Sequence, residues 1–86
     1  MTMSRDEIFA ELCRLLAPFN DTGVELKPTT DISGDLNIDS VTVMDFVMEV
    51  EDRFDIEIPL NILAETRTMN DLVGVVAERM QRRALA

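Results

Sequence analysis

Apolar residues repeat along this chain in three helical runs, separated by stretches where the periodicity fails. Ile8, Leu12, Leu15, Leu16 and Phe19, with Phe9 beside them, recur at the three-to-four spacing of one helix face. Ser4 and Glu7 stand just before this run at the S-x-x-E spacing of a capping box, so the first helix is predicted to begin after Ser4. Pro18 and the turn cluster Asn20-Asp21-Thr22-Gly23 predict its end. A second helix is predicted over residues 40–54, ended by Asp55 and the segment Ile56-Glu57-Ile58-Pro59. Pro59 suits the start of a short third helix through Leu60, Ile62 and Leu63. Thr68, with Asp71 three residues on, caps a last helix whose stripe is Leu72, Val73, Val76 and Met80. Arg79, Arg82 and Arg83 fall at its C-terminal end, where the helix dipole favours positive charge.

Residues 20–39 read as a long loop, and loops of that length inside a compact domain are usually functional. Val24, Leu26, Ile32, Leu36 and Ile38 are spaced along it as anchors, with a polar stretch from Thr29 to Asp39 between them. The expected fold is therefore an all-α bundle of four helices. Three are main helices, the third in order is short, and a long loop joins the first two. Residues 1–86 are expected to form one domain, with no repeat or linker.

The second helix has two apolar faces. At about 100° per residue, Val43, Phe46, Val47, Val50 and Phe54 share one sector and form an ordinary core stripe. Val41, Met44 and Met48 fall nearly opposite, in the sector that also holds Asp45 and Asp52. Those acids argue against burial of the second face. Methionine suits surfaces that adapt to several partners, and flanking acids would orient a basic one. The competing reading is that Met44 and Met48 lean onto the loop of residues 20–39. The pattern weighs the two equally.

Composition narrows the function. With 47% apolar residues the chain can build a core, but its formal charge is −9, from 17 acids against 8 bases. Such a surface repels phosphate backbones and anionic lipid, which sets nucleic-acid and membrane-surface binding aside. Two readings of this acidity stand side by side, solubility alone and attraction of a basic protein partner. The chain lacks histidine, the commonest general base and metal ligand, and this weakens most enzyme readings. The single cysteine, Cys13, lies on or beside the apolar face of the first helix and reads as an inert, buried thiol. No run is long enough to span a bilayer, and Met1–Glu7 lacks the basic and apolar regions of a signal peptide, so a cytoplasmic location is expected.

Ser40 follows Asn37-Ile38-Asp39 at the start of the second helix. The ordinary reading is that Asp39 or Ser40 is an N-cap. The functional reading is that Ser40 carries a phosphodiester, which a helix N-terminus favours through its free N–H groups and positive dipole end. A nucleophilic enzyme serine is the poorest choice, because no histidine is present and nothing places Lys27, the one lysine, near it. Asp31, Ser33, Asp35, Asn37 and Asp39 alternate like calcium ligands. However, the sixth position is Leu36 where glycine is needed, and the twelfth is Thr42 where a bidentate glutamate is needed. No metal site is expected.

The run Asp35-Leu36-Asn37-Ile38-Asp39-Ser40-Val41 resembles the D-L-G-x-D-S-L signature of acyl and peptidyl carrier proteins. The resemblance continues through Met44-Asp45-Phe46-Val47 and Glu51-Asp52-Arg53-Phe54-Asp55-Ile56-Glu57-Ile58-Pro59, and reaches Thr68-Met69-Asn70-Asp71-Leu72. It implies a carrier with no catalysis of its own. Ser40 would take a covalent 4'-phosphopantetheine from coenzyme A through a phosphopantetheinyl transferase, and the arm's thiol would hold acyl groups as thioesters. Asp39, Val41, Met44, Asp45, Met48, Glu51 and Asp52 match positions that dock basic patches of acyl-transferring or acyl-synthesising enzymes. The carrier would act as a monomer in fatty-acid or lipid biosynthesis. The Val-Met-Asp-Phe-Val-Met run is similar to carriers dedicated to lipid pathways, sphingolipid-base synthesis among them. Two positions depart from the signature. Asn37 replaces glycine but tolerates positive φ, and Val41 replaces leucine with a shorter apolar contact. Rival readings are a peptidyl or aminoacyl carrier, and an acidic adaptor without a prosthetic group.

Overall fold

The computed structural model describes residues 3–21 and 23–85. Thr22 of the expected turn cluster, and Met1 and Thr2 of the segment read for a leader, lie outside them. Helix α1 (Arg5–Leu16) is followed by a 3-10 turn (Ala17–Phe19), then α2 (Ile32–Leu36), α3 (Ser40–Phe54), α4 (Leu60–Leu63) and α5 (Met69–Leu85). The expected all-α bundle is therefore present.

The long helices begin where their caps predict. Ser4 Oγ accepts the Glu7 N–H at 3.1 Å and Glu7 Oε1 accepts the Ser4 N–H at 2.8 Å, closing the capping box. That bond holds the Glu7 carboxyl below its usual range. At α5 the Thr68 hydroxyl accepts the Asp71 N–H at 3.1 Å, and Asp71 Oδ2 accepts the N–H groups of Thr68 and Arg67, both at 3.2 Å. These N–H groups lower the Asp71 pKa, Thr68 first.

The core closes around Phe46, Ile8, Leu12, Leu16, Met69, Leu72, Val50 and Val76, all fully buried. The Phe19 ring meets Phe46 edge-on at 6.1 Å, fixing the 3-10 turn against α3. Arg53 reaches from α3 to Glu11 of α1 at 2.9 Å, and Arg14 pairs with the same carboxylate. Cys13 is half-buried, and burial pushes its thiol pKa up, as an inert packing residue requires.

The stretch read as a loop differs from expectation in one respect. It holds a further short helix, α2, built by the same acids that mimic a calcium loop. Asp31 is its N-cap and accepts the Gly34 N–H at 2.9 Å, while Asp35 Oδ2 returns to the Asp31 N–H at 2.8 Å. Ile32 and Leu36 are buried, and Val24, Leu26 and Ile38 pack half-buried against the core. Backbone bonds then fasten this stretch to the start of α5. The Ile32 N–H donates to Arg67 C=O at 3.0 Å, Met69 N–H to Thr30 C=O at 2.9 Å, and Asn70 N–H to Pro28 C=O at 2.8 Å. Thr30 is buried, and its hydroxyl accepts from Lys27 N–H at 2.8 Å.

Asn37 ends α2 in the left-handed region, with φ 54° and ψ 46°. The conformation explains how asparagine stands where the signature has glycine. Asn37→Ala is expected to cost about 1 kcal/mol, because an ordinary L residue is strained there. Asn37→Gly should be neutral or slightly stabilising. Urea midpoints of the two variants check this, and equal loss in both would remove the backbone explanation.

Candidate functional site

The site begins at the break between α2 and α3. Asp39 adopts an extended backbone, φ −82° and ψ 174°, and its Oδ1 accepts the Thr42 N–H at 2.8 Å. Asp39 is therefore the N-cap, and this bond holds its carboxyl below the usual range. Ser40 becomes the first residue of α3 and is exposed. Its side chain is thus free of capping duty, and its N–H has no acceptor among the described residues. An exposed hydroxyl at the positive end of a helix of 15 residues is well placed to carry a phosphate ester.

The two faces of α3 separate as their spacing predicts. Phe46, Val47, Val50 and Phe54 are buried, with Val43 half-buried at the margin. On the other side Val41 is 68% exposed, Met48 61% and Met44 36%. Asp45 and Asp52, in the same sector of the helix, are exposed too, so apolar and acidic groups intermix, and Asp39 and Glu49 are exposed as well. Glu51 differs from the other residues assigned to docking. It is half-buried, and its Oε2 accepts the Ile58 N–H at 2.8 Å. Its carbonyl accepts the N–H groups of Asp55 and Ile56, so Glu51 holds the turn after α3, where Asp55 is left-handed at φ 56°.

Beside Ser40 lies an open groove of about 440 Å³, lined by Ser33, Ser40, Val43, Met44, Leu60, Leu63 and Ala64. Met44, 36% exposed, lines this groove together with Ser33 of the stretch read as a loop. Ser33, Val43 and Leu63 also line a narrow pocket of about 40 Å³ that runs inward to Ile32, Phe46, Val47 and Leu72, with Thr66 and Arg67 completing its wall. Groove and pocket therefore adjoin along these three residues. Ser33 and Leu60, the latter 70% exposed, escape sequence reasoning because the groove joins α2, α3 and α4, which no local spacing relates. Among the described residues no helix is long and apolar enough to cross a membrane.

Comparison with known proteins bears on this geometry. The family model described as "Phosphopantetheine attachment site" matches residues 7–76. A "Probable acyl carrier protein" of Caulobacter vibrioides is 41% identical over 59 residues, covering 69% of this chain and 69% of the relative. An "Acyl carrier protein" of Myxococcus xanthus is 32% identical over 85% of this chain and 94% of its own length. A "Meromycolate extension acyl carrier protein" of Mycolicibacterium aurum is 32% identical over 88% of this chain and 79% of its own length.

Proposed function

The chain belongs to the acyl carrier protein family, with a covalent 4'-phosphopantetheine as its prosthetic group, and from that premise we propose that Ser40 is the attachment site and residues 1–86 one carrier domain. The observation that carries the assignment is the exposed Ser40 hydroxyl at the head of α3, relieved of capping by Asp39 and opening onto an apolar groove. Those features fit the group: a hydroxyl to esterify, a helix dipole to favour the phosphate, and an apolar trough for an alkyl chain. The bound arm supplies a thiol that holds acyl groups as thioesters. This chain's own residues anchor the arm, shelter the cargo and present a docking face. They perform no catalysis, and the carrier acts as a cytoplasmic monomer.

The acyl carriers among its relatives favour acyl over aminoacyl cargo, and a biosynthetic lipid pathway over the peptidyl alternative. Incubation with a phosphopantetheinyl transferase and coenzyme A, followed by intact mass measurement, tests the proposal. One phosphopantetheinyl mass should be gained, and fragmentation should place it on Ser40. An unchanged mass, or a modification elsewhere, rejects it.

The partners proposed are the transferase and acyl-handling enzymes with basic patches. They would meet Asp39, Val41, Met44, Asp45, Met48 and Asp52, with Glu51 contributing through the turn it holds. Asp45→Lys with Asp52→Lys should slow loading at low salt, and the deficit should shrink as ionic strength rises. Met48→Ala should weaken loading with no salt dependence. Both sets should shift stability by less than about 0.5 kcal/mol, since the side chains are exposed. Loading rates across a salt series, paired with thermal midpoints, check this. Normal low-salt loading by the double variant would remove the electrostatic docking role.

A further inference from the structure

Groove and inner pocket have three lining residues in common, Ser33, Val43 and Leu63. Two of the three are aliphatic, and Ser33 alone brings a hydroxyl. Among the described residues lining the groove, the only other polar side chain is Ser40, whose oxygen would be consumed by the phosphate ester. We infer that the Ser33 hydroxyl is a positioning donor for the thioester carbonyl of the seated cargo, an inference that rests on attachment at Ser40.

Three observations lead there. The Ser33 hydroxyl is nearly unengaged, since its one side-chain partner is Asp31 Oδ1 at 3.5 Å, the outer limit of a hydrogen bond. That oxygen already takes the Gly34 N–H at 2.9 Å, so Ser33 can turn to another acceptor with little loss. The other polar side chains of the inner wall do not serve the groove. The Thr66 hydroxyl donates to Ile62 C=O at 2.8 Å, and Arg67, exposed and 3.7 Å from Asp31, lines the inner pocket but not the groove.

The cargo has a polar boundary of its own. Its alkyl chain seeks the surface of Val43, Met44, Leu60 and Leu63, while the amide-bearing arm stays in water. The thioester carbonyl is the junction between them. A carbonyl drawn into an apolar groove without a donor is unfavourable, and Ser33 is the donor available at that border. Ser33 thus holds the thioester by its oxygen and shields it, without touching the loading chemistry.

The test uses the full chain loaded by a transferase from octanoyl-coenzyme A carrying ¹³C at the carbonyl. Intact mass first establishes loading, and isotope-edited infrared spectra then read the carbonyl stretch. In the wild-type protein the stretch should lie below that of free octanoyl-pantetheine, and cleavage by hydroxylamine should be slower. Ser33→Ala should return the stretch to the free value and speed cleavage severalfold, while Ser33→Thr, which keeps a hydroxyl, should restore both. Equal thermal midpoints for the three proteins exclude a merely structural effect. Failure of the wild type to gain mass would overturn the attachment reading and this inference with it. Normal loading at Ser40, with the same stretch in wild type and Ser33→Ala, overturns the Ser33 role alone.

Discussion

Phe46→Ala should leave the protein at or beyond the edge of unfolding. Phe46 is fully buried, it stacks edge-on against Phe19, and it forms part of the inner wall of the narrow pocket. Truncating such a ring typically costs about 3–5 kcal/mol, from lost transfer energy and the cavity left behind. For 86 residues the whole stability is expected to be roughly 4–13 kcal/mol, so one residue removes much of it. Truncation would enlarge a void that already lies beside the ring, and Val50, Leu12 and Leu16 of the same core are held in helices. Urea unfolding followed by circular dichroism measures the loss. A cost below about 1 kcal/mol would mean that the core repacks and that Phe46 is not its centre.

Ser40→Ala should do the reverse, abolishing attachment of the arm while leaving the fold almost untouched. Had Ser40 been the N-cap of α3, its removal would cost about 1 kcal/mol. Asp39 holds that place with the bond to the Thr42 N–H, so the loss should be only a few tenths of that. The modification has no substitute acceptor in the groove except Ser33, which lies in α2 and not at the head of a long helix. Intact mass after exposure to transferase and coenzyme A should therefore equal that of the untreated variant, with the thermal midpoint near wild type. Residual modification of Ser40→Ala would move the site elsewhere, and a large drop in midpoint would give Ser40 a structural duty that the hydrogen bonds do not show.

Much of this arrangement was legible along the chain, because its signals are local. Ser4 with Glu7 and Thr68 with Asp71 mark helix starts through contacts three residues apart, and both caps form; for α3 the sequence offered Asp39 or Ser40, and Asp39 takes the place. The two faces of α3 follow from period alone. What escaped has physical reasons. Helix α2 has five residues, too few for a periodic window to register, and its acids read first as metal ligands rather than caps. The Glu51 carboxylate turns back to Ile58 across a left-handed turn at Asp55, which the helical wheel cannot show. The groove was invisible for a stronger reason, since Ser33, Met44 and Leu60 become neighbours only when three elements meet.

The backbone ties between residues 28–32 and the start of α5 bear on the order in which the molecule assembles. They pair segments far apart in the chain, so a large loop must close before they repay its entropy. Helix α2 is too short to persist alone, and it supplies one wall of the groove. During synthesis, Ser40 leaves the ribosome well before residues 67–70, and at that moment the groove has no wall to close it. Prosthetic-group transfer that reads the finished groove must therefore wait until residues 67–70 have emerged, whereas transfer that reads α3 alone need not. The timing of modification on stalled nascent chains of increasing length would thus report which of the two surfaces the transferase recognises.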